Sequence, residues 1–327
     1  MKPFDYIRPE SLEYAAQQQQ RDGGRFIAGG TNLLDLMKLE VETPERLFDL
    51  NRMPMAQIEP EGEGLRIGAL VSNNACAADP RVRRDYPVLS RAILAGATFQ
   101  LRNRATTAGN LCQRTRCYYF YNTAMPCNKR EPGTGCSALN GINRIHAILG
   151  ASDQCIATYP GDMAVALYAL DATVEILQAS GGRRHVPVRD FHRLPGDEPE
   201  KDNVLEPGDV ITGVVLPPPP QGVQLYRKVR ERSSYAFALV SVAAVVRMDG
   251  ERIAEASLAF GALAHKPWHD PRIETLLAGE VPSDAVFDKA ADLLLEGAED
   301  YGHNGYKIPL ARRTLKEVLR NATGGGQ

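Results

Sequence analysis

From Cys112 to Cys155 the chain carries five of its six cysteines in a stretch rich in Gly, Pro, Asn and Arg and poor in periodicity. A compact domain rarely contains a structureless loop longer than about 15 residues, so something other than its own secondary structure has to order this segment. A bound metal centre would do so. The sixth cysteine, Cys76, lies upstream, and the C-terminal half has none. Disulfides that staple a weak core are spread differently, and a chain of 327 residues buries enough surface to need no staples.

The spacing narrows the chemistry. Nine residues separate Cys117 from Cys127, eight separate Cys127 from Cys136, and eighteen separate Cys136 from Cys155. No C-x-x-C knuckle occurs, which argues against the common structural zinc modules. Cys112 and Cys117 form a C-x4-C pair of the plant-type ferredoxin kind, but the C-x2-C that should follow is missing. Four thiolates are the usual complement of an iron–sulfur cube, and together they leave a net negative charge that needs compensation when buried. Arg114, Arg116, Lys129 and Arg130 stand beside the candidate ligands and are expected to supply it. The plainer reading of a cysteine is a small buried hydrophobe, and it is the one expected for Cys76 within Ala75-Cys76-Ala77-Ala78.

Lys and Arg number 38 against 40 Asp and Glu, a net charge of −2, so no global attraction for nucleic acid or anionic lipid exists. No apolar run approaches the roughly 18 residues of a membrane span. Met1 to Tyr6 shows neither an apolar h-region nor a twin arginine, so the expectation is a chain without an export signal of its own. Clustered thiols favour folding in a reducing compartment.

At about 150 residues per domain, the length suggests roughly two domains. Ser11 to Gln20 reads as a helix capped by Ser11, Arg25 to Ala28 as a strand broken by Gly29-Gly30, and Thr31 to Lys38 as a turn or helix capped by Thr31 or Asn32. Leu47 to Leu50, Leu65 to Leu70, Ile156 to Thr158 and Thr173 to Leu177 read as strands, and Val88 to Gly96 and Asp162 to Leu170 as helices. Pro217 to Pro220 is stiff and polyproline-like, a natural boundary. Beyond it, strands at Ala238 to Arg247 and Glu255 to Gly261 precede helices at Ser283 to Gly297 and Leu310 to Arg320, the pattern of a separate α+β unit. The tail, Gly324 to Gln327, reads as disordered.

Two glycine turns stand out. Ala28-Gly29-Gly30-Thr31-Asn32 lets the backbone approach a phosphate closely, and Thr107-Ala108-Gly109-Asn110 offers the same chemistry. Together they suit a pyrophosphate clamped from both sides. Neither matches G-x-G-x-x-G or the P-loop pattern, which argues against a Rossmann or kinase-type site.

These pieces occur together in a known family. FIAGGTNLL (Phe26 to Leu34), RNRATTAGNL (Arg102 to Leu111), PGDMAVAL (Pro160 to Leu167) and YRKVRERSSYAFALVSVA (Tyr226 to Ala243) resemble the FAD-binding subunit of the molybdenum hydroxylases, over nearly the whole chain and in the right order. That family includes xanthine dehydrogenase, carbon monoxide dehydrogenase and aldehyde oxidoreductases. RTRCYYFYN, PCNKR and GTGC resemble the medium subunit of the periplasmic aldehyde oxidoreductases of bacteria.

The resemblance implies an α+β chain: a bipartite FAD-binding region of the vanillyl-alcohol-oxidase type, 1–55 and 56–217, with a [4Fe-4S] insertion at about 112–155, then a C-terminal α+β domain at 218–327. It implies that Phe26, Ile27, Ala28, Gly29, Gly30, Thr31, Asn32, Leu33 and Leu34 cradle the FAD pyrophosphate, met by Thr106, Thr107, Gly109 and Asn110. Asp162 matches the aspartate of the family's S-D motif, with Gly161 in place of the serine; an aspartate there also reads as a helix N-cap. Lys228 matches a lysine near the isoalloxazine, a cation suited to reduced anionic flavin, or otherwise a solvated strand charge. Cys117, Cys127, Cys136 and Cys155 are the implied [4Fe-4S] ligands, and Cys112 is left as a packed thiol.

The implied function is electron transfer. A large subunit with the molybdenum cofactor oxidises an aldehyde, a small [2Fe-2S] subunit passes the electrons on, and FAD here delivers them to an external acceptor, the three chains forming a heterotrimer. No nucleophile, triad or general base is evident, which suits a relay. The implied location is the periplasm, reached folded with a partner that carries a twin-arginine signal; the alternative is the cytoplasm. Two rivals are the flavin subunit of a 4-hydroxybenzoyl-CoA reductase-like enzyme, against which the shorter insertion speaks, and a non-redox metal-stabilised protein gripping nucleic acid through arginines between Arg81 and Arg116.

Overall fold

The computed structural model describes residues 1–324; most of the tail expected to be disordered, Gly325 to Gln327, lies outside the described residues. The chain builds three sheets in succession. The first is parallel, with Arg46–Asp49 between Asp5–Ile7 and Arg25–Ile27. Helix Leu12–Asp22 crosses between its strands: Ser11 Oγ accepts from the Tyr14 N–H at 3.1 Å, and Gly23, at φ 71°, ends it.

The second sheet is antiparallel, in the order Ile58–Glu61, Gly64–Gly68, Val210–Leu216, Thr173–Leu177, Arg183–Pro187. Its core is closed by helices Asn73–Ala78, Pro87–Ala95 and Asp162–Ala169. All eight residues of the last are buried, because it is apolar on every side and lies between this layer and the C-terminal sheet, whose Ala243, Val245 and Ala259 join the same core. After Leu216 the proline run leads to a third sheet of Val223–Val229, Val240–Asp249 and Arg252–Gly261. Helices Pro271–Leu277, Asp284–Leu294 and Lys307–Ala322 cover its other face. Among the described residues no helix is long and apolar enough to cross a membrane.

The segment between 112 and 161 contains one short helix, Tyr118–Tyr121, and otherwise only isolated bridges. The strand expected at Ile156 to Thr158 does not form. Its carbonyls are taken singly, Ile156 O by the Ala147 N–H at 2.9 Å and Thr158 O by Thr115 Oγ1 at 2.9 Å, so no ladder is needed to satisfy them. A small separate core gathers Cys117, Phe120, Cys127, Cys155 and Ile156.

Candidate functional site

The first glycine turn meets the backbone at the end of helix Phe99–Arg104, just ahead of the second, which winds as the short helix Thr107–Leu111 capped by Thr106 Oγ1. A Cβ on Gly29 would lie 1.9 Å from Arg104 O, so only glycine allows this approach, and Gly30 adopts φ 71°. Around the junction runs a cleft with two lobes, of about 450 Å³ and 260 Å³, that share Thr31, Asn32 and Gly109 in their walls. Phe26 to Leu33 and Thr106 line the larger lobe. Asn110, Asp162 and Lys228 line the smaller one. Two residues of the expected set stand apart from the cleft: Leu34 packs in a small core with Ile27 and Met37, and buried Thr107 turns inward to donate from Oγ1 to Val71 O at 3.1 Å.

The cleft walls carry buried polar atoms with no partner: Asn32 Nδ2, Asn73 Oδ1, Arg102 Nε and Glu200 Oε2. Orphaned donors and acceptors of this kind are rare in a folded protein; these lie just behind the cleft surface. Contrary to the sequence expectation, the Asn32 side chain does not cap the helix after it; its Oδ1 accepts from the Arg114 N–H at 2.9 Å. A glycine cradle and a two-lobed cleft fit a dinucleotide such as FAD.

Asp162 and Lys228 depart from both local expectations. Asp162 makes no cap; its carboxylate accepts from Tyr226 Oη at 2.6 Å and from Lys228 Nζ at 2.8 Å. Lys228 is not a solvated strand charge, since its side chain is 4% exposed and also donates to Ala95 O at 3.2 Å. The ammonium is therefore neutralised, with one N–H left for the cleft. Gly161 is explained by Tyr159, whose ring would lie 2.6 Å from a Cβ there and whose hydroxyl donates to Asn110 O at 2.9 Å.

Cys117, Cys127, Cys136 and Cys155 converge on one small cavity. A bridge pairs Cys127 with Cys136, locked by the Asn128 N–H on Gly135 O at 2.7 Å. Every cysteine is a free thiol. Burial pushes Cys117 up to about 12 and Cys155 up to about 11, so bare thiolates are disfavoured there without a cationic centre to bind. Among the described residues no group of three or more His, Cys, Asp or Glu is arranged to hold a single metal ion. Cys76 is fully buried, as expected, whereas Cys112 is half-buried and lines the larger lobe of the cleft.

The four cations expected to offset a cluster are committed elsewhere. Arg114 pairs with Glu42 at 2.5 Å and Asp202 at 2.8 Å, and fully buried Lys129 pairs with Asp202 at 2.5 Å. Arg130 donates to the carbonyls of Tyr119, Phe120 and Met125, and Arg116 to Tyr121 Oη at 2.6 Å. A buried cation left unpaired is too costly to wait for a ligand. Burial resists ionisation of Asp202, but Lys129 and Arg114 outweigh it and hold the carboxyl well below the usual range. Lys129 still acts on Cys155, opposing the upward push of burial.

Sequence reasoning missed Asn73, Gln113, Tyr159, Tyr226 and His146. The His146 Nε2 lies 3.1 Å from Cys117 Sγ, and burial, helped by Lys307, lowers the imidazole to about 4. No local pattern marks these residues; only the fold brings them in.

The family model for the FAD binding domain in molybdopterin dehydrogenase matches residues 2–219, and that for the CO dehydrogenase flavoprotein C-terminal domain matches 224–322. The chain is similar to the aldehyde oxidoreductase FAD-binding subunit PaoB of Escherichia coli, 53% identical over 98% of this chain and 99% of that one. It is also similar to the carbon monoxide dehydrogenase medium chain of Afipia carboxidovorans, 24% identical over 98% of this chain and 96% of that one. The crystal structure of quinoline 2-oxidoreductase from Pseudomonas putida covers 99% of both chains with a TM-score of 0.75 and 27% identity. With the family's FAD-binding domain over 2–219 and its C-terminal domain over 224–322, the chain belongs to the FAD-binding medium subunits of the molybdenum hydroxylases and is a subunit of an oxidoreductase of that type.

Proposed function

We propose that this chain is the FAD- and [4Fe-4S]-carrying electron-transfer subunit of a molybdenum-dependent aldehyde oxidoreductase. It receives electrons from a small [2Fe-2S] subunit that serves a large molybdenum-cofactor subunit, and hands them to an external acceptor. The observation that carries the reading is the cleft at the Gly29–Arg104 junction, with Lys228 at its far lobe. FAD supplies the ability to accept electrons singly and release them as a pair. Residues 26–33, Thr106, Gly109 and Asn110 would hold it, and the neutral Asp162–Lys228 pair keeps a fixed dipole beside it.

Cys117, Cys127, Cys136 and Cys155 would ligate the cluster. Their common cavity supports this, four thiolates being the usual complement of an iron–sulfur cube. Aldehyde is favoured as the substrate by the 53% identity to PaoB. We also propose a periplasmic location, reached folded together with a partner.

The test is co-purification from the native host, metal analysis for molybdenum and iron, and spectra before and after adding an aldehyde. Bleaching of the flavin band by aldehyde is expected; no bleaching by aldehyde, with reoxidation of the dithionite-reduced flavin by hydroxybenzoyl-CoA, would favour the reductase instead. Cys136→Ser should lose the cluster's iron, and full retention would refute the ligand set.

A further inference from the structure

We infer that His146 is a positioning residue of the cysteine cavity, donating an N–H···S hydrogen bond to Cys117 that raises the reduction potential of the centre bound there. The inference rests on the cluster reading above and deepens it. Nε2 stands 3.1 Å from Cys117 Sγ in a residue that is 1% exposed. A cysteine bound to iron is a thiolate and has no proton to give, so the proton in this contact sits on Nε2. The neutral ring then carries a bare Nδ1, which has no partner among the described residues. A donor aimed at sulfur stabilises the more negative, reduced state, and hydrogen bonds to the sulfurs are among the factors that set cluster potentials.

The C-terminal unit fixes the ring. Lys307 Nζ donates to Ile145 O at 3.0 Å, His146 O at 2.9 Å and Ala262 O at 2.8 Å, and Asn304 Nδ2 donates to Ala147 O at 2.7 Å. Lys307 and Asn304 are fully buried, so the backbone is gripped on both sides of His146. The ring itself lies against Tyr118 and Tyr119, with centroids 6.2 Å and 6.4 Å away.

The test uses the complex co-purified with its partner subunits. His146→Phe keeps an aromatic ring and deletes the donor, and His146→Gln restores an N–H. H146F is expected to keep wild-type acid-labile sulfide while an EPR-monitored redox titration shows reduction of the four-iron centre disfavoured about tenfold, a shift of about 59 mV for one electron; H146Q returns part of the shift. Full sulfide with an unmoved potential in H146F overturns the inference and leaves the cluster reading intact, whereas a wild-type complex without this cluster overturns both. If H146F loses the centre, wild-type complex labelled with ¹⁵N-histidine decides. A weak ¹⁵N coupling in pulsed EPR of the reduced centre supports the bond, and its absence overturns it.

Discussion

Removing one half of the Asp162–Lys228 pair is expected to cost more than removing both halves. The pair ties helix Asp162–Ala169 to strand Val223–Val229 of the next unit. Its charged atoms are 2.8 Å apart, with side chains 9% and 4% exposed. At an effective dielectric constant of about 20, unit charges at that distance attract by about 6 kcal/mol, and desolvating both ions offsets much of this. Lys228→Met leaves the carboxylate with Tyr226 Oη alone, and Asp162→Asn leaves the ammonium without a counter-charge. Each single change should destabilise the flavin-free chain by about 3–5 kcal/mol, because each strands a buried charge. The double variant strands none and should lose only about 1–2 kcal/mol, the scale of the hydrogen bonds removed. Urea unfolding of the four proteins measures the coupling. If the single effects are small and add to within about 0.5 kcal/mol, the pair is not a desolvated unit and the reasoning fails.

Three further outcomes are expected. Gly29→Ala forces a methyl against Arg104 O and should weaken FAD binding tenfold or more, at the overpacking scale of about 1–3 kcal/mol, while Gly182→Ala on an exposed hairpin leaves it unchanged; flavin fluorescence titration compares them. Gly161→Ser should lower the flavin-to-protein ratio, because the added Cβ collides with Tyr159 and displaces the hydroxyl that holds the second turn at Asn110. Burial lowers Lys307 from its usual 10.5 to about 7, so above that pH the folded side chain gives up a proton and keeps only two of its three carbonyl bonds while the unfolded chain stays protonated, and stability rises with pH. Between pH 7 and 9 the wild type should gain up to about 1.4 kcal/mol per pH unit relative to Lys307→Met, and parallel stability profiles would refute the assignment.

The first glycine turn was legible because it follows a short strand and because glycine is required where its backbone meets Arg104 O; the second, expected as a turn, winds instead as the short helix Thr107–Leu111. The cysteine spacing likewise pointed to one centre, and the four thiols do share a cavity. What stayed hidden is nonlocal. Asp162 read as a cap because its first-turn position has that local meaning, yet its partners lie 64 and 66 residues onward. The cations beside the cysteines read as free charges because nothing in the sequence announces that Glu42 and Asp202 come to meet them. Thr107 shares its motif with residues of the cleft, but its side chain answers a carbonyl on the neighbouring layer.

The central claim is that this one chain holds both a flavin and a four-iron cluster. Mössbauer spectroscopy of the ⁵⁷Fe-enriched holo-complex, on a sample with its extracted flavin quantified, tests it most directly. One FAD for each copy of this chain is expected, with a [4Fe-4S] component beside the [2Fe-2S] signals of the small subunit. FAD accompanied by [2Fe-2S] signals alone would contradict it.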